Sequence, residues 1–204
     1  MSNIRLAEAA APSTPASGKV IIYAKTDGLV YGKDDAGTET QLSNTSVTIN
    51  IKTPATTTSG TSVDITSIPS GTKYIVLSLY GVSSSGTSNY IVQIGDAGGI
   101  ETSGYTTTVC AYNGTGLANK TDGWNLHIGI AAAGAYYGTL ILSLVDSSTN
   151  SWQGFGQCNN NNSAYMCHCV GGKDLSAELT QIRLTTTGGS DTFDAGKIGL
   201  VCMG

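Results

Sequence analysis

Charge is what this 204-residue chain has least of: 12% of its residues are Asp, Glu, Lys or Arg, against about 25% in an ordinary globular domain. That scarcity excludes a long solvated helix and a conventional disordered tail, both of which Lys and Glu keep in water. The 10 basic residues are outnumbered by 14 acidic ones, for a net charge of −4. That balance argues against a partner met by a basic face, such as duplex DNA or an anionic bilayer, so no nucleic acid and no membrane is expected as a partner. Long apolar runs are missing too. The longest, Ile128 to Tyr137, contains glycines and falls far short of the roughly 20 residues that cross a bilayer. The start, Met1 to Leu6, lacks the basic segment and apolar stretch of an export signal, which leads to the expectation of assembly in a cytoplasm.

The chemistry of catalysis is equally thin. Histidine, the usual general base, occurs only as His127 and His168. His127 alternates with Trp124, Leu126 and Ile128 and has no nucleophile nearby, so it reads as a structural or interface histidine. Five cysteines (Cys110, Cys158, Cys167, Cys169, Cys202) cannot all pair in one chain and fit no small disulfide scaffold, which favours free thiols. Cys167-His168-Cys169 with Cys158 has the look of a metal site. In a strand, however, the two cysteines point one way and the histidine the other, so they do not close around one ion. No phosphate-cradling glycine loop and no His-Glu-x-x-His is present. The expectation is therefore no catalytic residue, no metal and no cofactor. Asp96 and Glu101 flank Gly98-Gly99 without the oxygen ladder that calcium needs, and read as a solvated turn. Asp27, Asp34, Asp35, Asp122 and Asp146 also fall in turns, and a glycosidase pair among these acids stays open, because strand-borne carboxylates meet only in three dimensions.

What the chain does have is a period of two. Residues 3–11, with Ala7, Ala9, Ala10 and Ala11, carry the one helical signal, stopped by Pro12. Pro12 to Gly18 reads as an extended linker. Then Lys19–Lys25, Leu29–Lys33 and Glu39–Leu42 alternate as three strands joined by Thr26-Asp27-Gly28 and Asp34-Asp35-Ala36-Gly37, a meander with strong hairpin turns. After a Ser/Thr stretch, strand signals recur every 10 to 15 residues. Ile75, Leu77 and Leu79, then Tyr90, Val92 and Ile94, then Leu140, Leu142 and Leu144, then Ile182 and Leu184, then Ile198, Leu200 and Cys202 alternate with their neighbours. The fold expected is all-β: an antiparallel β-sandwich, jelly-roll-like, over residues 46–204, preceded by an extended arm and small three-stranded meander over residues 1–45.

Tyr74 to Tyr80 and Gly138 to Val145 are apolar on both faces, which points to one face in the core and the other against another chain. Elsewhere the outward positions carry Ser, Thr and Tyr where a solitary domain places Lys and Glu, as interface cores do. The aromatics Trp124, Trp152, Tyr136, Tyr137, Tyr105, Tyr112 and Tyr165 suit core and interface packing as well as stacking on sugar rings. The loops 112–119 and 157–165 are rich in Gly, Ser, Asn and Tyr, adaptable enough to bind a ligand, and from the aromatic set Tyr112, Trp152 and Tyr165 are the candidates for contact with a host surface glycan.

Two stretches carry a family resemblance. Residues 11–31, through Ser17-Gly18-Lys19-Val20-Ile21-Ile22-Tyr23-Ala24-Lys25-Thr26-Asp27-Gly28, resemble a module widespread in virion proteins of tailed bacteriophages, both tail fibres and proteins that decorate capsids. Val63 to Ile75, with Ile68-Pro69-Ser70-Gly71-Thr72-Lys73-Tyr74, then Gly81 to Asn89 and Ile94 to Tyr105, are similar to the β-sandwich that often follows it. The resemblance implies a non-enzymatic homotrimer, located on the virion and assembled in the host bacterial cytoplasm. The module begins about ten residues from Met1 with no shaft ahead of it, which favours a capsid decoration (cement) protein on the capsid exterior over a fibre arm. Residues 1–45 would then anchor to the major capsid protein, through Ile4, Leu6, Pro12, Pro15, Tyr23 and Tyr31, while the sandwich projects outward. The rival expectation is a short tail fibre or receptor-binding protein that recognises glycans.

Overall fold

A computed structural model describes residues 5–42, 47–112, 117–132, 134–162 and 166–204. Helix is absent among them, and 55% of the residues lie in strands. The chain forms two compact units, Met1–Val47 and Thr48–Gly204.

The first unit contains β1 (Glu8–Ala9), β2 (Ile21–Lys25), β3 (Val30–Lys33) and β4 (Glu39–Gln41), hydrogen-bonded in that order. Its turns follow from their residues. Gly28 sits at φ +81° and Gly37 at φ +86°, conformations that a side chain would strain. Asp34 Oδ1 accepts from the backbone N–H groups of Ala36 and Thr38. The expected helix is corrected: Glu8 and Ala9 form a strand paired in parallel with Ala24 and Lys25, and residues 5–7, 10 and 11 are not helical. A nine-residue helix is marginal whatever its alanine content, and a neighbouring strand satisfies the same backbone groups. The linker is fastened as well, since Lys33 Nζ donates to the Pro12 carbonyl at 3.0 Å and the Gly18 N–H to Asp35 Oδ2 at 2.6 Å.

The second unit begins with β5 (Ile49–Ile51), β6 (Ala55–Thr56), β7 (Ser62–Ile65), β8 (Tyr74–Ser84), β9 (Tyr90–Asp96) and β10 (Gly99–Ile100). It continues with β11 (Tyr105–Ala111), β12 (Leu117–Lys120), β13 (Trp124–Asn125) and β14 (Tyr136–Asp146). The last four strands are β15 (Ser151–Asn160), β16 (Met166–Asp174), β17 (Gln181–Thr186) and β18 (Phe193–Met203). Two antiparallel sheets result among the described residues. The smaller runs β10-β9-β17-β7 with β13 on β9; the larger, nine-stranded sheet runs β12-β11-β16-β15-β14-β8-β18-β5 with β6 on β18.

Alternation places the core as expected. Ile75, Leu77 and Leu79 of β8, Leu140 and Leu142 of β14, and Ile198, Leu200 and Cys202 of β18 join Val92 and Ile94 of β9 and Ile182 and Leu184 of β17 in one buried cluster. At about 1.5–3 kcal/mol per buried aliphatic side chain, this cluster is what holds the sheets together. Two places depart from simple alternation. Strand β9 is buried at every position: β13 pairs along one of its edges, and Gln93 Nε2 donates to the Asp122 carbonyl at 2.8 Å. On β15 the inward positions include Gly154, and the indole of Trp124 occupies the space its missing side chain leaves: a Cβ there would lie 2.6 Å from Trp124 Cε2 and 2.8 Å from Leu142 Cδ2.

Candidate functional site

The groups most capable of chemistry are used for structure. Asp96 is buried, not in a solvated turn, and its Oδ2 accepts from the Ser176 hydroxyl at 2.7 Å. The same hydroxyl lies 2.8 Å from Glu101 Oε1, which also accepts from the Ser176 N–H. Glu101 Oε2 forms an ion pair with Lys173, whose ammonium sits 5.5 Å from the Tyr105 ring centre. The network ties the connection between β9 and β11 to the segment after β16. The Ser176 hydroxyl and the Gly98 N–H hold the Asp96 carboxyl below its ordinary range. Burial alone would raise Glu101, but Lys173 and Ser176 outweigh it and the net shift is also downward. A glycosidase pair needs one carboxyl raised and protonated as the acid; these two are both held ionised.

His127 is fully buried, its ring edge-on to Tyr136 at 5.0 Å, and burial lowers its pKa. Leu126 and His127 follow the end of β13 and are both buried. Cys167 and Cys169 point into the core while His168 lies on the outer face, 6.3 Å from the Phe155 ring centre. Burial pushes the thiols of Cys158 and Cys169 up to about 12, which leaves them as small hydrophobes with little thiolate.

The residues singled out for binding divide. Leu6 is exposed, Pro12 and Pro15 are half-buried, and Ile4 lies outside the described residues. Tyr23 is buried and Tyr31 half-buried, with ring centres 6.1 Å apart; the large apolar residues that the unit exposes are Leu6, Val20, Ile22, Leu42 and Val47. Tyr112 is 81% exposed. Trp152 is 3% exposed, an inward position of β15, so its ring offers no surface to a sugar. Tyr165 lies outside the described residues, and Gln157 to Asn160 belong to β15 and not to a loop.

The largest feature is the outer face of the nine-stranded sheet. Register aligns Ile51, Val201, Val76, Ile141, Phe155 and Val170 in one row across β5, β18, β8, β14, β15 and β16. To one side the next row reads Ser78, Thr139, Gln157 and His168, and to the other Tyr74, Ser143 and Gln153. Among the described residues of these three rows there is no Asp, Glu, Lys or Arg. Lys197 opposite Tyr80 and Asp174 opposite Ser151 stand at the two ends of the face. Near Lys197, Tyr80 and Tyr137 meet edge to face at 5.3 Å beside an open groove of about 400 Å³ that Gln157, Asn159 and Met166 also line. The sequence signal for this face was the apolar alternate set of β8 and β14; nothing in it placed β15 and β16 alongside. Set against known proteins, the chain matches no family model, no curated protein and no solved structure.

Proposed function

We propose that this chain is a non-enzymatic structural protein of a bacteriophage particle, a homotrimeric decoration protein that binds the major capsid protein and stabilises the head. The observation that carries the reading is the uncharged outer sheet face, too apolar for a domain that works alone in water. Two further features support it. The first unit exposes Val20 and Ile22 on a small sheet that has few apolar groups to bury by itself, as an anchor would. The acids that come together serve a structural network with no protonated partner. The mechanism is mass action: a protein that binds the assembled lattice and not its separated subunits shifts the equilibrium toward the shell. Copy number per virion tests this. Hundreds of copies on the head are expected, and a handful at the tail would sink it.

A short tail fibre that grips host glycans is the second reading, and one observation favours it: the Tyr80–Tyr137 pair beside planar amides and hydroxyls at the groove, the chemistry that receives sugar rings. Glycan-array binding that a Tyr80→Ala, Tyr137→Ala double variant abolishes would establish the second.

A further inference from the structure

We infer that the outer face of the nine-stranded sheet is where copies of this chain meet, with the row Ile51, Val201, Val76, Ile141, Phe155 and Val170 along the contact. This rests on the assembly reading above and names its surface. The row is continuous in register over six neighbouring strands, about 24 Å at the usual strand spacing of about 4.8 Å. Ile51 is 76% exposed, and Phe155 and Val170 are each 49% exposed.

Three features make the occupant another copy. The first is charge. A partner bearing ionised groups would have to desolvate them against a face with nothing to pair them, a penalty of several kcal/mol per ion. An identical face sets aliphatic against aliphatic, and the flanking Ser, Thr and Gln side chains both donate and accept, so they are complementary to themselves. The second is area. The eight strands in series span about 34 Å, and the seven residues from Tyr74 to Tyr80 about 20 Å, which gives about 700 Å² before side-chain relief is counted. A stable pairwise interface takes about 800 Å² from each partner, so the face is of the size of one such contact, shared between two neighbours where three chains meet. The third is shape. Strands in a twisted sheet rotate about the line perpendicular to them, so a row through the middle of β14, β15 and β16 stays straight. A straight stripe one residue wide fits three faces folded around an axis along it, the polar rows meeting at the flanks.

The test is the mass of the full-length chain in solution by light scattering. The expected result is three times the chain mass of 20.9 kDa, with at least a tenfold rise in dissociation concentration for Phe155→Glu and for Val170→Lys. Both sites are already half in water, so circular dichroism should show the fold unchanged. Thr66→Lys, an exposed position outside the face, should stay associated. Ile141→Cys in a Cys110→Ser background should cross-link chains on oxidation. A wild type that runs as one chain at tens of micromolar, or row variants that stay associated and do not cross-link, would overturn the inference. A two-chain mass that the same variants reduce to one would uphold the surface and overturn the trimer of the proposed function. Row-dependent trimers found only at the tail would uphold the surface and overturn the decoration role.

Discussion

Gly154 is a position where one added methyl group would run into a buried indole. Its neighbour Trp124 is fully buried, donates from Nε1 to the Gly171 carbonyl at 3.2 Å and packs edge to face on Tyr105 at 5.2 Å, so the indole has nowhere to retreat. Gly154→Ala should lower stability by roughly 1–3 kcal/mol, the usual cost of overpacking, read as a lower urea midpoint at unchanged slope. The buried ionisable groups act through pH. Burial lowers the folded pKa of His127; the unfolded chain takes up a proton near its ordinary value of about 6.5 that the folded chain refuses. Stability therefore falls as pH drops through about 6.5 and goes on falling until folded His127 itself protonates. Asp96 and Glu101, lowered in the fold, contribute fully above about 4 and lose that contribution as pH falls through their folded values. Urea midpoints measured from pH 8 to pH 3 should decline in two steps. His127→Gln should remove the upper step alone, and Ser176→Ala should weaken the lower one. An upper step that persists without His127 would mean that another group titrates.

Among the elements, those with a strict period of two were legible. The inward residues Ile75, Leu77 and Leu79 of β8, Leu140 and Leu142 of β14, and Ile198, Leu200 and Cys202 of β18 are aliphatic or cysteine, and the core lies where that pattern puts it. The hairpins of the first unit were legible from Asp27-Gly28 and from Gly37, because few residues accept the backbone those turns need. β15 was hidden: its inward set is Trp152, Gly154, Gly156, Cys158 and Asn160, and glycine carries no hydropathy signal although it is what admits Trp124. The same blindness turned Trp152 into a surface candidate and Gln157 to Asn160 into a loop. β1 read as helix because its pairing with β2 is a contact between segments about 16 residues apart, which local propensity does not register. The acid network joins Asp96 and Glu101 to residues about 75 positions away, beyond any spacing rule. Burial also ranks the elements. The first unit's buried hydrophobics are Tyr23 and Ala24, whereas β8, β14 and β18 carry inward residues at or near zero exposure. Amide exchange should accordingly be faster by orders of magnitude in β2, β3 and β4 than in β8 and β14, and equal protection would show that something beyond this unit's own packing holds it.

For the whole molecule, the scarcity of charge has a consequence in solution that separates association through the outer sheet face from association through ion pairs. Two ends of that face carry Lys197 and Asp174, and the rows between them carry no Asp, Glu, Lys or Arg among the described residues. Exposed ion pairs weaken with salt, since the screening length falls from about 14 Å at 0.05 M to about 4 Å at 0.5 M. Burial of aliphatic rows does not weaken, and excluded salts such as sulfate strengthen it. The dissociation concentration of the oligomer should change less than about threefold across that sodium chloride range and should fall in ammonium sulfate. Apolar burial also carries a negative heat-capacity change, so association should strengthen on mild warming where its enthalpy is positive. Titration calorimetry at three temperatures reads that slope, and sedimentation at three salt concentrations reads the screening. A steep loss of association with sodium chloride would place the contact at charged residues elsewhere on the chain and remove the sheet face from consideration.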